Sequence, residues 1–408
     1  MASMKRKTLL QINVSANAGS TGKIAEQIGI TAQNAGWNSI IAYGKRYNES
    51  SSTLIRIGNK SDIICHGMQT RLFDRHGLAS IKATKTFLSE IDEMDIDIVH
   101  LHNIHDYYLN YPLLFDYFRE RKLPVVWTLH DCWPFTGHCA HFDFLGCERW
   151  QTHCDKCPGK GTYPKSFWLD RSRKNFDDKK KAFTSVIDNL TIVPVSYWLE
   201  RFAKQSFLNR AHRIETIHNG IDINLFHPIE NSSVGDKYGI PVGKKIVLGV
   251  AAPWSKGKGL GDFIQLRDKL NDDYVIVLVG LSPNQLKDMS SGIIGIPRTE
   301  NQSDLASLYS AASVFVNPTY EDNYPTTNIE ALSCGTPVIT YDTGGSPESI
   351  TDKTGLVVKK GDIDKLSDGI IKMGKDIGEH NMDCREWAEQ NCDATEVYKR
   401  YIELYETL

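Results

Sequence analysis

One stretch of the sequence decides the fold: Pro318-Thr319-Tyr320-Glu321-Asp322-Asn323-Tyr324-Pro325-Thr326-Thr327-Asn328-Ile329-Glu330-Ala331-Leu332-Ser333-Cys334-Gly335-Thr336-Pro337. We expect a buried strand to end at Pro318 and a helix to run from about Pro325 to Gly335, because proline suits the first helical turn and glycine the position after the last. Glu330 lies on this otherwise apolar helix, where a carboxylate needs a partner such as the hydroxyls of a bound sugar. The backbone amides of Thr326–Asn328 at the helix start are predicted to bind phosphate.

A strand followed by a helix recurs along the whole chain. Continuous apolar strands of this kind are typical of parallel sheets that helices cover on both faces. They are too numerous for one doubly wound sheet, so we predict an α/β fold of two Rossmann-like domains that face each other across a cleft. The candidate strands are Thr8–Val14, Ser39–Tyr43, Ile96–His102, Val125–Leu129, Thr191–Ser196, Arg213–Ile217, Lys245–Val250, Tyr274–Gly280, Gly292–Ile296, Ser313–Asn317, Pro337–Thr340 and Gly355–Val358.

A polar stretch near the middle divides these strands into two sets. We expect an N-terminal domain over residues 1–224, a C-terminal domain over residues 225–391, and a helix within residues 392–408 that crosses back to the first domain. The hinge is expected near Ile223–Pro228, followed by the linker-like Asn231–Ser233. Ligands of such folds bind beyond the carboxyl ends of the strands, so the motifs at those ends indicate the function.

The composition is that of a folded, soluble protein. The 408 residues are 41% hydrophobic and 24% charged, with a formal net charge of −3, which argues against disorder and against a surface built to bind nucleic acid. The sequence contains no apolar run long enough for a transmembrane helix and no signal-peptide pattern. We therefore expect a cytoplasmic protein, either free or at the inner face of the membrane.

The loop after the first strand, Asn17–Lys23, carries Gly19 and Gly22 before a helix. Glycine lets a ligand approach the backbone closely, and a helix start favours an anion. The spacing completes neither a dinucleotide fingerprint nor a P-loop, which would place Ser or Thr at Ile24, so a dehydrogenase or P-loop kinase is disfavoured. A donor-binding turn and a plain capping turn both remain open.

Four cysteines form a cluster with the spacing C-x7-C-x6-C-x2-C inside an insert over residues 132–158. Four soft ligands that close with C-x2-C suit a tetrahedral structural zinc, which would stabilise a small insert without contributing to catalysis. A redox-active cysteine pair and ordinary buried thiols are the alternatives. The predicted zinc ligands are Cys139, Cys147, Cys154 and Cys157.

A basic stretch follows the insert, with aromatic residues interleaved. It is predicted either to contact anionic lipid and guide a lipid-diphosphate acceptor, or to form an ordinary solvated helix face broken by Asp177 and Asp178. Its residues are Lys165, Arg171, Arg173, Lys174, Lys179, Lys180 and Lys181, with Phe167, Trp168 and Phe176.

The deciding stretch resembles the E-x7-E signature of family 4 retaining glycosyltransferases, which have the GT-B fold. Asp322 and Glu330 occupy the two acidic positions, and Ala331–Ile339 continues the match. A Cys-rich insert is familiar in some members that act in exopolysaccharide or O-antigen biosynthesis. Further matches occur in family order at the Gly19–Gly22 loop, Thr128-Leu129-His130-Asp131, Val195-Ser196, Asn219-Gly220-Ile221-Asp222 with Phe226, Lys258-Gly259 and Gly344-Gly345.

The resemblance implies a site for a nucleotide sugar. Glu330 would bind the donor ribose, Asp322 would face the donor sugar, and His130 would lie near the sugar O6 and the reacting carbon. The further residues implied to bind the donor are Gly19, Lys256, Asn323, Tyr324, Pro325, Thr326 and Thr327, and the catalytic set is His130, Lys258 and Asp322.

The acceptor side is predicted from a histidine-rich strand end, Val-His-Leu-His-Asn-Ile-His-Asp. His100 and His102 share one face of the strand, where a packed, structural role is equally compatible with the pattern. His105, Asp106 and Tyr107 fall in the loop that follows, where they would form an acceptor wall.

This sequence departs from the family at two positions. The first acid of the signature is Asp322 instead of Glu, with Glu321 adjacent, so either carboxylate fits that position. Many relatives carry an Arg where this chain has Ala252; Lys256 beside Lys258 is expected to replace its charge at the diphosphate, the alternative being a solvated basic turn.

We therefore expect a retaining, hexosyltransferase-type glycosyltransferase that needs no cofactor for catalysis. A UDP- or GDP-sugar would be the donor, and a glycan or lipid-diphosphate-linked glycan of surface polysaccharide biosynthesis the acceptor. The alternatives are a nucleotide-sugar epimerase or hydrolase on the same fold and a noncatalytic nucleotide-sugar-binding subunit.

Overall fold

The computed structural model describes residues 5–230, 233–374 and 381–408, and in it the chain forms two compact units. Unit 1 runs up to His218 and includes Tyr398–Leu408, whereas unit 2 comprises Asn219–Val397. Each unit is built on one parallel sheet, so the predicted pair of Rossmann-like α/β domains is confirmed. The division follows His218 instead of residue 224. Asn231 and Ser232 of the predicted linker lie outside the described residues.

Unit 1 contains a seven-stranded parallel sheet in the order β3-β2-β1-β4-β5-β6-β7. Its strands are β1 (Thr8–Ala16), β2 (Asn38–Tyr47), β3 (Thr53–Arg56), β4 (Ile98–Leu101), β5 (Val125–Leu129), β6 (Leu190–Pro194) and β7 (Arg213–Ile214). Its first six helices are α1 (Gly19–Asn34), α2 (Lys60–Phe73), α3 (Ile81–Ile91), α4 (Tyr111–Arg121), α5 (Ser172–Phe183) and α6 (Tyr197–Gln205).

Unit 2 contains a six-stranded parallel sheet in the order β10-β9-β8-β11-β12-β13. Its strands are β8 (Lys245–Val250), β9 (Tyr274–Val279), β10 (Ile293–Ile296), β11 (Val314–Asn317), β12 (Val338–Tyr341) and β13 (Gly355–Val358). Its helices are α7 (Val234–Lys237), α8 (Leu260–Arg267), α9 (Pro283–Lys287), α10 (Gln302–Ala311), α11 (Thr326–Ser333), α12 (Ile363–Met373) and α13 (Asn381–Asn391).

The strand predictions are confirmed in position, although several strands begin or end a few residues away. Every residue of β5 and β9 is buried, as a strand covered on both faces requires. The edge strand β3 escaped prediction because its four residues include only two apolar ones.

The deciding stretch folds as its proline and glycine residues predict. After β11 the chain loops to Pro325, α11 begins at the next residue, and Gly335 follows the helix end with a φ of +78°. Arg385 of α13 donates to the carbonyls of Ser333, Phe226 and Ile223 at 2.9–3.0 Å, so that a cation meets the carbonyl end of α11. These contacts fix the helix that carries Glu330.

The last helix, α14 (Ala394–Glu406), contributes its C-terminal part to unit 1. The Tyr401 hydroxyl lies 2.8 Å from Thr128 Oγ1, and the Tyr405 hydroxyl lies 2.5 Å from His100 Nδ1. The predicted return of this segment to the N-terminal half therefore rests on buried polar contacts as well as on apolar packing. No helix among the described residues has the length and apolar character needed to cross a membrane.

Unit 1 buries several histidines in their neutral form. His66 Nε2 accepts a hydrogen bond from the Gly77 amide, and burial lowers the pKa of His66 to about 3. Burial also holds the pKa of His100 and of His102 well below the ordinary value of 6.5. Protonation of any of these rings therefore favours the unfolded chain.

We expect the free energy of unfolding to fall as the pH is lowered from 7 to 5. In this interval the unfolded histidines bind protons that the folded ones do not, so stability rises with pH, by up to about 1.4 kcal/mol per pH unit for each such histidine. Urea unfolding at several pH values measures the slope. His66→Asn should reduce it and the exposed His227→Gln should not; equal slopes in all three proteins would contradict this account.

Candidate functional site

The strongest charged contact at the predicted site joins Lys258 and Asp322. Lys258 is the last residue of a short 3₁₀ turn before α8, and Asp322 lies in the loop between β11 and α11. Lys258 Nζ is 2.7 Å from Asp322 Oδ2, while the Asn323 amide donates to Oδ1 at 2.9 Å. Both side chains are about one-third exposed or less, so a ligand can still reach this pair. Two of the predicted catalytic residues are thus brought together.

Glu330 projects from α11 and is held by a neighbouring helix. The Tyr309 hydroxyl of α10 donates to Glu330 Oε2 at 2.9 Å, and Glu330 is only partly buried. Tyr309 is therefore one of the partners that a carboxylate on an apolar helix was expected to need. Because Tyr309 is itself fully buried, the bond orients the carboxylate without covering it.

Two carboxylates compete for the first acidic position of the motif, and the structure gives them different surroundings. Asp322 is paired with Lys258, whereas Glu321 has a buried Oε2 without a hydrogen-bond partner among the described residues. A buried carboxylate oxygen without a partner is costly, so Glu321 is suited to receive a donor group from elsewhere. Which of the two acids contacts the sugar stays a prediction.

The remaining residues predicted to bind the donor have mixed exposure. Asn323, Tyr324 and Pro325 are buried, and the Asn219 side chain donates to the Tyr324 carbonyl at 3.1 Å. Thr326 and Thr327 are partly exposed at the start of α11, and Lys256 is exposed. Gly19 is exposed at the start of α1 in unit 1, with a φ of +70°.

The prediction that the Asn328 backbone amide binds phosphate is wrong. The Asn328 amide donates to the Pro325 carbonyl at 3.2 Å, so it is already used within the first turn of α11. The Asn328 side chain is also committed, because it bonds Asn317 and the backbone and hydroxyl groups around Ser346. Asn328 therefore anchors the helix start and does not belong to the exposed part of the site.

The predicted acceptor residues His105, Asp106 and Tyr107 lie in one strained loop of unit 1. Asp106 and Tyr107 have φ values of +82° and +74°, a conformation that non-glycine residues adopt at a cost. His105 bonds Asp131 Oδ2 at 2.7 Å and the Tyr163 hydroxyl at 3.0 Å. Burial alone would raise the pKa of Asp131, but the facing His105 and the Trp133 amide lower it to about 2.

Three further residues of this cluster were missed by sequence reasoning. His76 accepts from the Asp106 amide at 3.1 Å, and Lys45 pairs with Asp106 Oδ2 at 2.7 Å while its ammonium lies over the Tyr107 ring. Tyr163 joins the same cluster through the hydrogen bond between its hydroxyl group and His105. These residues come from distant segments, and no local pattern marks them; only the ionisable and aromatic character of the loop itself gave a signal.

His130 directly follows β5 and is partly exposed, with its Nε2 atom 3.1 Å from Nδ1 of the buried His102. Burial is the main cause that lowers the pKa of His130 to about 4, and the nearby Asp131 opposes this shift only in part. His130 is therefore neutral at physiological pH and able to exchange hydrogen bonds without carrying charge.

The four predicted zinc ligands, Cys139, Cys147, Cys154 and Cys157, line one small cavity with His138. The Gly137 amide donates to Cys154 Sγ at 3.2 Å, and all the cysteines in the described parts of the chain are free thiols. Within those parts, no group of three or more His, Cys, Asp and Glu side chains is arranged to hold a metal ion. Zinc thus stays a prediction.

The predicted basic stretch is not uniformly solvated. Lys179 is buried, donates to the carbonyls of Trp133 and Thr136, and lies 3.5 Å from the centre of the Trp133 ring. Burial lowers the pKa of Lys179 to about 7. Lys179 is therefore part of the core. Any basic surface in this stretch is formed by its other lysines and arginines.

The C-terminal half and the N-terminal half each match a glycosyltransferase family. Residues 234–391 match the family described as "Glycosyl transferases group 1", and residues 54–225 match "Glycosyltransferase Family 4". The chain is also 25% identical over 377 residues to the putative colanic acid biosynthesis glycosyl transferase WcaC of Escherichia coli K12, covering 88% of this chain and 89% of that protein.

Solved structures show the same architecture. Sucrose-phosphate synthase from Thermosynechococcus elongatus superposes with a TM-score of 0.71 at 17% identity, covering 98% of this chain and 99% of that one. Anabaena HepE in complex with UDP-glucose has a TM-score of 0.67 at 14% identity, covering 98% and 100%. The two parallel-sheet units and these superpositions show the GT-B fold, and the two family matches, which together span residues 54–225 and 234–391, show that the chain belongs to glycosyltransferase family 4.

Proposed function

We propose that the protein is a retaining glycosyltransferase that moves a sugar from a nucleoside-diphosphate sugar to a hydroxyl group of a glycan or lipid-linked glycan in surface polysaccharide biosynthesis. The observation that carries this proposal is the Lys258–Asp322 pair beside the start of α11, with Glu330 farther along the same helix. The similarity to WcaC supports the polysaccharide role.

The chemistry requires a cation where the leaving diphosphate gains charge. Lys258 and the exposed Lys256 can supply it, and preorganised positive charge of this kind is effective in a site with little water. In the proposed reaction the bond from the anomeric carbon to the phosphate oxygen breaks while the acceptor oxygen bonds to the same face of that carbon. The acceptor proton passes to the departing phosphate, which leaves as the nucleoside diphosphate.

The carboxylates would orient the donor. Glu330, fixed by Tyr309, is suited to accept from the two hydroxyls of a ribose, and Asp322 or Glu321 from those of the sugar. The structure of HepE in complex with UDP-glucose supports a nucleotide sugar as the donor, and a panel of UDP- and GDP-sugars would identify the base. The acceptor would contact the partly exposed Asp106 and Tyr107 of unit 1, whereas the predicted His105 is buried with both ring nitrogens hydrogen-bonded. An epimerase or hydrolase would consume the donor without an acceptor, so product analysis with donor alone separates these activities.

Lys258→Met and Glu330→Gln should each lower kcat/KM for sugar transfer by about 100-fold, the size expected when one preorganised charged contact to the transition state is lost. Transfer from a panel of UDP- and GDP-sugars to a lipid-linked oligosaccharide measures this effect. Lys365→Met, an exposed lysine of α12, is the matched control. Near-normal transfer by both site variants would refute this placement of the donor.

We also propose that the four-cysteine cavity holds a structural zinc ion. The cavity collects four thiols, and His138 adds a buried Nε2 without a hydrogen-bond partner among the described residues. His138 Nδ1 lies 2.7 Å from the buried Asp74 carboxylate, the arrangement in which a carboxylate orients a metal-binding histidine. The donor atoms suit zinc in kind.

Purified protein should contain about one zinc ion per chain, because a tetrahedral thiolate site binds zinc tightly at neutral pH. Elemental analysis of the wild type, of the double variant Cys154→Ser with Cys157→Ser, and of Cys65→Ser as the exposed-cysteine control tests this expectation. Only the double variant should lose the metal and melt at a lower temperature. A folded, zinc-free wild type with reactive cluster thiols would exclude the site.

We further propose that unit 1 contacts anionic membranes through Phe167, Trp168 and Leu169. Their exposed fractions are 53%, 74% and 53%, and the loop is pinned by bonds from the Phe167 amide to Arg71 and from Lys160 to the Trp168 carbonyl. Arg75, Arg173 and Lys174 line an open groove together with Leu169 and the exposed Phe73. A fixed aromatic tip beside basic residues suits the interface of an anionic bilayer.

The wild type should sediment with vesicles that contain phosphatidylglycerol more than with pure phosphatidylcholine vesicles. Replacement of Phe167 and Trp168 by Ser should reduce this binding several-fold, because both the apolar contact area and the interfacial anchor are lost. Val242→Ser, at an apolar side chain that is 94% exposed in unit 2, is the control. Equal sedimentation of the loop variant and the control would rule the membrane contact out.

A further inference from the structure

The orientation of the Gln11 side chain is fixed by a backbone carbonyl. Gln11 Nε2 lies 2.8 Å from the Ala25 oxygen, and because a carbonyl only accepts, the amide nitrogen must be the atom on that side. Gln11 Oε1 is therefore the atom that faces His102. Gln11 is fully buried in β1, an interior strand of the sheet, so no solvent competes for these bonds.

The fixed amide determines which nitrogen of His102 carries the proton. His102 Nε2 lies 3.1 Å from Gln11 Oε1, an acceptor, so Nε2 must donate. His102 is 1% exposed, and burial keeps the ring neutral, so its second nitrogen, Nδ1, has a lone pair and can only accept.

His130 is the donor to that lone pair. His130 Nε2 is 3.1 Å from His102 Nδ1, and the two ring planes are nearly parallel, with an interplanar angle of 20° and centroids 5.4 Å apart. The proton of neutral His130 consequently resides on Nε2, which leaves Nδ1 as the unprotonated nitrogen. Of Gln11, His102 and His130, only His130 is partly exposed.

We propose that Gln11 and His102 are positioning residues that fix His130 as its Nε2–H tautomer, so that His130 offers Nδ1 as a hydrogen-bond acceptor to a hydroxyl group of a bound sugar. The tautomer follows from the hydrogen bonds alone, whereas the sugar as ligand rests on the proposed function. In the other tautomer Nδ1 would carry a proton, and a hydroxyl could meet it only as an acceptor.

A direct measurement of the tautomer tests the first half of the proposal. In protein labelled with ¹⁵N-histidine, long-range ¹H–¹⁵N correlation at neutral pH distinguishes a protonated from an unprotonated ring nitrogen, and His130→Gln identifies the signal. The expected result is a protonated Nε2 and an unprotonated Nδ1 on His130 in the wild type. A proton on Nδ1 would overturn the proposal whatever the enzyme's activity.

Variants test whether the relay, the hydrogen-bonded series Gln11–His102–His130, acts through His130. Gln11→Met has nearly the same size but cannot accept from His102, so His102 loses its fixed tautomer and His130 should show a mixture. The control is Tyr405→Phe, which also removes a buried hydrogen bond to a histidine of the same sheet, but to His100 instead of His102. Thermal melting of both variants checks that they are folded and matched in stability.

Transfer kinetics then separate positioning from general destabilisation. Gln11→Met should lower kcat/KM about tenfold, the loss expected from one hydrogen bond, and Tyr405→Phe less than twofold. If Gln11→Met keeps the single Nε2–H signal and full transfer, the relay is refuted. If the wild type shows the expected tautomer but transfers no sugar from any donor, the proposed function fails and the assignment of the His130 tautomer stands.

Discussion

Burial of two parallel sheets on both faces is the constraint on which the rest of the structure depends. Strands such as β5 and β9 are buried along their whole length, so their side chains pack the core and their backbone groups are used in the sheet. Polar side chains of the sheet can then reach a ligand only where a strand ends. His130 directly follows β5, and the loop that carries Asp322 follows β11. The locations of both candidate sites are consequences of that burial.

Local signals in the sequence were sufficient for much of this arrangement. Apolar runs located the strands, and Pro325 and Gly335 bounded α11, because each of these signals acts within a few residues of its effect. Contacts between distant segments were not accessible in the same way. The bond of His76 to the Asp106 amide and the burial of Lys179 over Trp133 depend on how remote parts of the chain meet. A lysine among other lysines gives no sign that it is the buried one.

Ionisable groups inside unit 1 are tolerated because each belongs to a hydrogen-bonded set. Asp131 faces His105, His138 faces Asp74, and Lys179 caps two carbonyls, so the cost of removing each group from water is offset by a partner. This local pairing explains how ionisable groups can lie inside unit 1. It also explains why the histidine pattern left two interpretations open: packed and site-forming histidines lie in the same network.

The shorter acid at position 322 is accommodated by the backbone around it. Gly344 has a φ of +57°, and a Cβ atom there would lie 1.7 Å from the Asp322 carbonyl oxygen; Gly259 has a φ of +73°, and a Cβ atom there would lie 2.2 Å from the Pro318 carbonyl oxygen. Both loops can therefore come closer to the Asp322 segment than any side chain would allow. At that approach a two-carbon side chain already reaches Lys258 at 2.7 Å. The ion pair is thus set by backbone proximity, and the missing methylene of a glutamate is not needed to form it.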